Sequence, residues 1–278
     1  YLAQRFSKQQ EEIAVYDFQV LTQNQWFPRA FNDWRFVLLV MIGSLAIFPD
    51  LGNATILFLV ALLMYSISGI AHRWFATILG VLTSLSFVSL TTIKLVGVDK
   101  FSKIPVFGYV AKRFSAFFNP FDDVAGAGHQ LANSYYAMVN GGWFGLGLGN
   151  SIEKRGYLPE AHTDFVFSIV IEEFGFVGAS LILALLFFLI LRIILVGVRA
   201  KDPFNSMVAI GIGGMILIQV FVNIGGISGL IPSTGVTFPF LSQGGNSLLV
   251  LSVAIAFVLN IDASEKRAKL YSEYEAQL

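Results

Sequence analysis

The sequence has no cysteine, which removes disulfides, thiolate nucleophiles and Cys-ligated metals. It is also poor in charge: Asp, Glu, Lys and Arg make up 13% of the 278 residues, against roughly 25% in a typical soluble domain. What charge there is balances, 18 basic against 18 acidic, so no net field draws the chain to nucleic acid. Three histidines fall short of a zinc-binding pattern. No lysine-serine pair follows the glycine-rich stretch as in a nucleotide P-loop, and no G-x-S-x-G elbow marks a serine hydrolase. Internal repeats and low-complexity tracts are absent as well. Disorder is excluded, because disordered chains are polar and highly charged.

What fills the sequence instead is apolar. AVILMFWYC residues reach 55%, phenylalanine alone numbers 27, and mean hydropathy is +0.70. So few charges cannot cover that much apolar surface in water. The expected fold class is therefore an all-α, polytopic helical membrane protein with one long extracellular loop between spans.

A bilayer core of about 30 Å takes around 20 mostly apolar residues per helix. Five stretches qualify: Asn53 to Ala71, Phe75 to Ile93, Phe165 to Leu191, Met207 to Ile231 and Gly244 to Ile261. A sixth, Phe36 to Phe48, is short and stops at Pro49-Asp50, as a brief span or a re-entrant half-helix would. Basic residues in short joints set the orientation. His72-Arg73 and the joint from Arg192 to Lys201 are basic and fall inside. The joints Pro49 to Gly52 and Pro232 to Gln243 contain no Lys or Arg and fall outside. The expected layout is a cytoplasmic segment over 1–35, about three spans over 36–97, and an extracellular catalytic loop over 98–164. Three spans follow over 165–261, with an outer loop at 232–243, and then a cytoplasmic tail over 262–278. The opening run from Tyr1 to Lys8 reads as the end of a helix entering the cytoplasm, so a preceding segment is expected.

The long loop has three parts. Phe107, Val110, Phe114, Phe117 and Phe118 recur at helical spacing with Lys103, Lys112 and Arg113 mostly between them. That suits either an interfacial helix with its cations at phosphate level or a helix packed on the protein's own spans. Gly126 to Gly149 is glycine-rich, either a backbone nest for phosphate or tight turns against membrane helices. The last part, Lys154 to Phe165, places Lys154, Arg155, Glu160, His162 and Asp164 directly before an apolar span. Ionisable groups at a bilayer edge are costly to keep, and functional by default. A partly desolvated Asp164 carboxylate would suit general-base work; the competing reading makes it the N-cap of the next helix. Lys154 and Arg155 could face a pyrophosphate. Glu160, His162 and Asp164 allow a loosely held Mg²⁺ or Mn²⁺, and no dedicated metal site is expected. The final outer loop, Pro232 to Ser247, is uncharged and rich in hydroxyls and turn residues. Such backbone at membrane depth survives only where it is buried or lines a cavity.

Four blocks together resemble one family, the SEDS proteins (shape, elongation, division and sporulation), which include FtsW and RodA. They are Pro49-Asp50-Leu51-Gly52, Asn119-Pro120 through Gly149-Asn150, Tyr157-Leu158-Pro159-Glu160-Ala161-His162-Thr163-Asp164-Phe165, and Thr234-Gly235 through Pro239-Phe240 to Ser247. The third is highly specific. The resemblance runs over essentially the whole chain and implies ten spans in all, with the first four lacking here. It implies polymerisation of lipid II into glycan strands outside the cytoplasmic membrane of a bacterium, with Asp164 as the catalytic residue. It also implies a class B penicillin-binding transpeptidase and other divisome membrane proteins as partners. Ser242, Gln243, Gly244, Gly245 and Asn246 would join Lys154, Arg155, Glu160 and His162 around the substrate. That block is more similar to the division branch of Gram-positive cocci than to the elongation branch. A lipid II flippase and a non-catalytic divisome scaffold remain the competing readings.

Overall fold

The computed structural model describes residues 2–4, 43, 51–68, 80, 84, 91, 108–124, 126 and 128–275. The cytoplasmic segment over 1–35, the short span Phe36 to Phe48, the Pro49-Asp50 turn, the span Phe75 to Ile93 and the loop start Phe101 to Phe107 lie largely or wholly outside the described residues. What is described is helical: α1 (Leu51–Ile67), α2 (Gly108–Phe118), α3 (His129–Gly141), a 3₁₀ turn (Glu153–Arg155), α4 (Val166–Arg199), α5 (Pro203–Ile227) and α6 (Gly245–Glu275). Three of them, α4, α5 and α6, are long and apolar enough to cross a membrane. They overlap the last three apolar stretches, with α4 and α6 running on past Leu191 and Ile261. Of α4, the part after Gly175, from Phe176 to Arg199, is at 1.5 Å per residue about 36 Å long, enough by itself to cross the bilayer core.

The chain divides into two compact units. One comprises Tyr1–Phe75, Phe187–Ile218 and Leu248–Leu278. Here Gly211 and Gly214 of α5 receive Met64 and Leu63 of α1, and Gly213 receives Ile193 and Ile194 of α4. Beyond Ile261 the last span turns charged but stays helical to Glu275. Its Lys266–Asp262 and Lys269–Glu273 pairs, at 2.6 and 3.7 Å, have the (i, i+4) spacing that supports an exposed helix. Glu265 accepts the N–H groups of Lys201 and Asp202, at 3.1 and 3.4 Å, where the turn enters α5.

The other unit comprises Ala76–Leu186 and Gln219–Ser247, and contains the long loop. The loop is more ordered than its glycines suggest. His129–Gly141 forms a helix with Leu131, Ala132, Asn133, Ser134 and Ala137 buried. Four consecutive buried residues, Leu131 to Ser134, go most of the way round the helix, so it is enclosed by its neighbours rather than amphipathic, and hydropathy spacing gave no sign of it. Ser134 Oγ and Ser168 Oγ lie 2.7 Å apart, tying α3 to the start of α4.

Inside α4 the backbone leaves helical geometry at Gly175, with φ 69° and ψ 178°. A break in a spanning helix strands backbone donors and acceptors that need new partners. The stretch 142–147 supplies them. Leu146 and Gly147 donate to the carbonyls of Glu172 and Glu173, both at 2.9 Å. In return Phe176 and Val177 donate to those of Gly142 and Trp143, at 2.9 and 3.1 Å. The two backbones approach so closely that a Cβ on Gly145 would collide with the Glu173 carbonyl, and one on Gly175 with that of Trp143. These glycines are therefore packing points against a kinked span. The N–H groups of Leu146 and Gly147 are committed there and do not form a nest for phosphate.

Candidate active site

The segment between the 3₁₀ turn and α4 is a chain of turns. Glu160 takes positive φ, 56°, and its carbonyl accepts the N–H groups of Thr163 and Phe165 at 3.1 and 3.2 Å. Thr163 Oγ1 also donates to the Glu160 carboxylate at 2.6 Å. Phe165 ends the turn buried, and its carbonyl accepts Ser168 N–H at 3.0 Å. Since α4 begins at Val166, the N-cap position belongs to Phe165. Asp164 stands one residue earlier and is not the helix cap, so its carboxylate is left for other work.

That carboxylate faces a cation the sequence had placed elsewhere. Arg113 turns inward from α2, half-buried, and its guanidinium donates to the Ser233 carbonyl. A Cβ built on Gly235 would lie 3.2 Å from Arg113 Nη2 and 3.3 Å from Asp164 Oδ2, so the two groups flank one methyl-sized gap that glycine leaves open. Both line a cavity together with Gln130, Asn223, Ser233 and Gly235. Burial raises the proton affinity of Asp164, nearby Glu160 raises it further, and Arg113 pulls it back. The amphipathic pattern of α2 gave no hint that Arg113 reads inward; the residue contacts needed to see it are 120 positions apart.

The final outer loop closes over this turn. Ser242 Oγ donates to the Thr163 carbonyl at 2.7 Å and accepts Phe238 N–H at 2.6 Å. Gln243 N–H donates to the His162 carbonyl at 2.8 Å. Phe238, fully buried, stacks on Phe167 of α4 with ring centroids 4.7 Å apart and planes within 6°. From below, Asn223 of α5 donates to the carbonyls of Asp164 and Val236 at 2.7 and 2.6 Å. One turn earlier Gln219 donates to that of Thr237 at 3.0 Å. Of the expected substrate-contacting block, Ser242 is thus spent on the loop's own structure. Gln243, Gly245 and Asn246 are exposed, with Gly245 and Asn246 opening α6 and Gly244 just before it.

Lys154 takes a different role from the one expected. Its ammonium pairs with Glu173 of α4, next to Glu172. Glu172 is wholly buried and accepts Ser151 Oγ, the N–H groups of Ile152 and Glu153 at 3.1 and 3.4 Å, and Asn140 Nδ2 at 3.3 Å. Two carboxylates at the head of a span are costly unless paired and hydrogen-bonded, and this loop exists in part to satisfy them. Arg155, Glu160 and His162 are exposed. Among the described residues no three His, Asp or Glu side chains converge as a metal-ligand set. Arg113 is the positive group that acts on Asp164 among the described residues.

Residues 4–267 match the family model for the cell cycle proteins FtsW, RodA and SpoVE. The chain is similar to the probable peptidoglycan glycosyltransferase FtsW of Lactococcus lactis, with 52% identity over 97% of this chain and 64% of that protein. It thus spans under two thirds of that relative's length. Its fold is similar to a solved structure of a peptidoglycan synthase complex that coordinates polymerization and crosslinking. That likeness has a TM-score of 0.67 at 23% identity, over 95% of this chain and 68% of the other. It is similar too to the crystal structure of the rod shape determining protein RodA of Thermus thermophilus, with TM-score 0.54 at 23% identity, over 95% of this chain and 63% of that one. An all-helical, polytopic membrane chain with this match along nearly its full length belongs to the FtsW/RodA/SpoVE family of cell cycle proteins.

Proposed function

We propose that the protein is a peptidoglycan glycosyltransferase that polymerises lipid II outside the cytoplasmic membrane during cell division, with Asp164 as general base. The observation that carries this reading is the placement of Asp164: a carboxylate of raised proton affinity, facing Arg113 across Gly235 in a cavity roofed by the final outer loop. A sugar hydroxyl of the acceptor gives its proton to Asp164 as its oxygen forms a bond to the donor's anomeric carbon. The bond from that carbon to the pyrophosphate breaks, and undecaprenyl pyrophosphate leaves with the electron pair. Inversion follows, from an α-linked donor to a β-linked glycan. One base and a good leaving group are enough, without a second carboxylic acid. Arg113 offsets the negative charge that develops; the commitment of Lys154 to Glu173 leaves it little part in this.

The flippase reading needs polar groups free along a path through the spans. Glu172, Glu173, Gln219 and Asn223 are the interior candidates, and each is engaged in holding an outer segment. A class B penicillin-binding transpeptidase as partner is supported by the likeness to the synthase complex, and other divisome membrane proteins follow from the division branch of the family. The orientation, with loop 98–164 outside, rests on the basic joints.

The test is glycan polymerisation from lipid II by the full chain with its transpeptidase, comparing wild type with Asp164→Asn. The variant is expected to lose at least about a hundredfold in rate while still binding the partner. Undiminished polymer would overturn the assignment and favour the scaffold or flippase.

A further inference from the structure

Asn223 lies near the end of α5 with 4% of its surface exposed. Both hydrogens of its Nδ2 are used, one on the Asp164 carbonyl and one on that of Val236, at 2.7 and 2.6 Å. This fixes the amide's orientation, because the flipped group would press its oxygen against two carbonyl oxygens. Oδ1 is then left over. It is a buried acceptor with no partner in the protein, and among the described residues only Glu153 Oε2 shares that condition. Buried acceptors in native proteins find a donor, in water or ligand if not in the chain. Asn223 lines the same cavity as Asp164 and Arg113.

We propose that Asn223 is a positioning residue of this site: its nitrogen holds the main chain of Asp164 against Val236, and its spare Oδ1 accepts a hydrogen bond from a hydroxyl in the cavity. The hydroxyl belongs to the sugar acceptor or to a bound water. The proposal rests on Asp164 being the base. Gln219, one helical turn away, supplies a built-in comparison. It makes the same kind of amide-to-carbonyl tie to Thr237, but touches neither Asp164 nor its main chain.

The experiment measures lipid II polymerisation per folded molecule across pH, for the full chain with its transpeptidase in proteoliposomes. Asn223→Ser keeps a single donor and is expected to lower kcat about tenfold or more, since displacement of a reacting group by an ångström is that costly. It is also expected to move the acid limb of the pH profile. The carboxylate shifts relative to Arg113 and Glu160, the charged groups that face it. Gln219→Leu should lose thermal stability while keeping both kcat and the limb. A higher KM in Asn223→Ser identifies the hydroxyl as the substrate's, and an unchanged KM identifies it as water's. Asn223→Gln, which keeps the amide but moves it by one methylene, is read in the same way if the serine variant does not fold. Folded Asn223 variants with wild-type kcat and an unmoved limb overturn the proposal. So does failure of both to fold while Gln219→Leu folds, which would make the residue purely structural. Asp164→Asn is assayed alongside: undiminished polymerisation there sinks the base assignment itself, whatever Asn223 does.

Discussion

Asp164 is the residue where burial, a like charge and an opposite charge meet, and their signs give a pH prediction. In its proposed role as base Asp164 works only when ionised, so activity should fall as pH drops through its raised pKa, above the ordinary aspartate range. Glu160 contributes to that rise. Glu160→Gln should therefore move the acid limb of kcat to lower pH. Arg113 opposes it, and Arg113→Gln should move the limb to higher pH while also slowing the chemistry. Opposite shifts in the two variants, read from pH–rate profiles, are the expected result; shifts of the same sign would mean that at least one of the two charges does not act on Asp164 in this way.

At the scale of elements, the kink in α4 and the loop that repairs it are one device. Gly145 has φ 77°, and its Cα faces the Glu173 carbonyl. Gly145→Ala should cost about 1–3 kcal/mol through strain and displaced backbone, seen as a lower thermal midpoint. Lys154 belongs to the same device. With 26% of its side chain exposed against 9% for Glu173, the pair is mostly buried. Lys154→Met should cost about 2 kcal/mol, less than the loss of a fully buried partner because water reaches the lysine. KM for lipid II should stay near wild type. A raised KM with unchanged stability would instead return Lys154 to the pyrophosphate.

For the whole molecule the absence of cysteine is an experimental advantage, since any introduced thiol is unique within this chain. In intact cells, a membrane-impermeant maleimide should label a cysteine in place of exposed Tyr157. It should not label one in place of exposed Lys201 until the cells are opened. Equal labelling at the two positions would refute the orientation read from the basic joints.

The class of the protein was legible in one dimension. Long apolar runs with few charges dictate spanning helices, because backbone polar groups in lipid must be satisfied within the segment. The runs over 165–261 became α4, α5 and α6 nearly where expected. The Tyr157 to Phe165 string drew attention to Asp164 as an ionisable group at a bilayer edge, but its part as base came from the family resemblance and is the proposal made above. What a neighbour does across space is not written locally. Only the tertiary structure decided that Arg113 turns inward from its amphipathic helix to face Asp164, that Lys154 serves Glu173, and that His129–Gly141 is a helix between glycines. The same holds for Asn223, whose two donors reach carbonyls 59 and 13 residues away. Hydropathy and spacing record how a residue meets lipid and water, whereas the pairing of a buried donor with its acceptor depends on which segments the fold brings together.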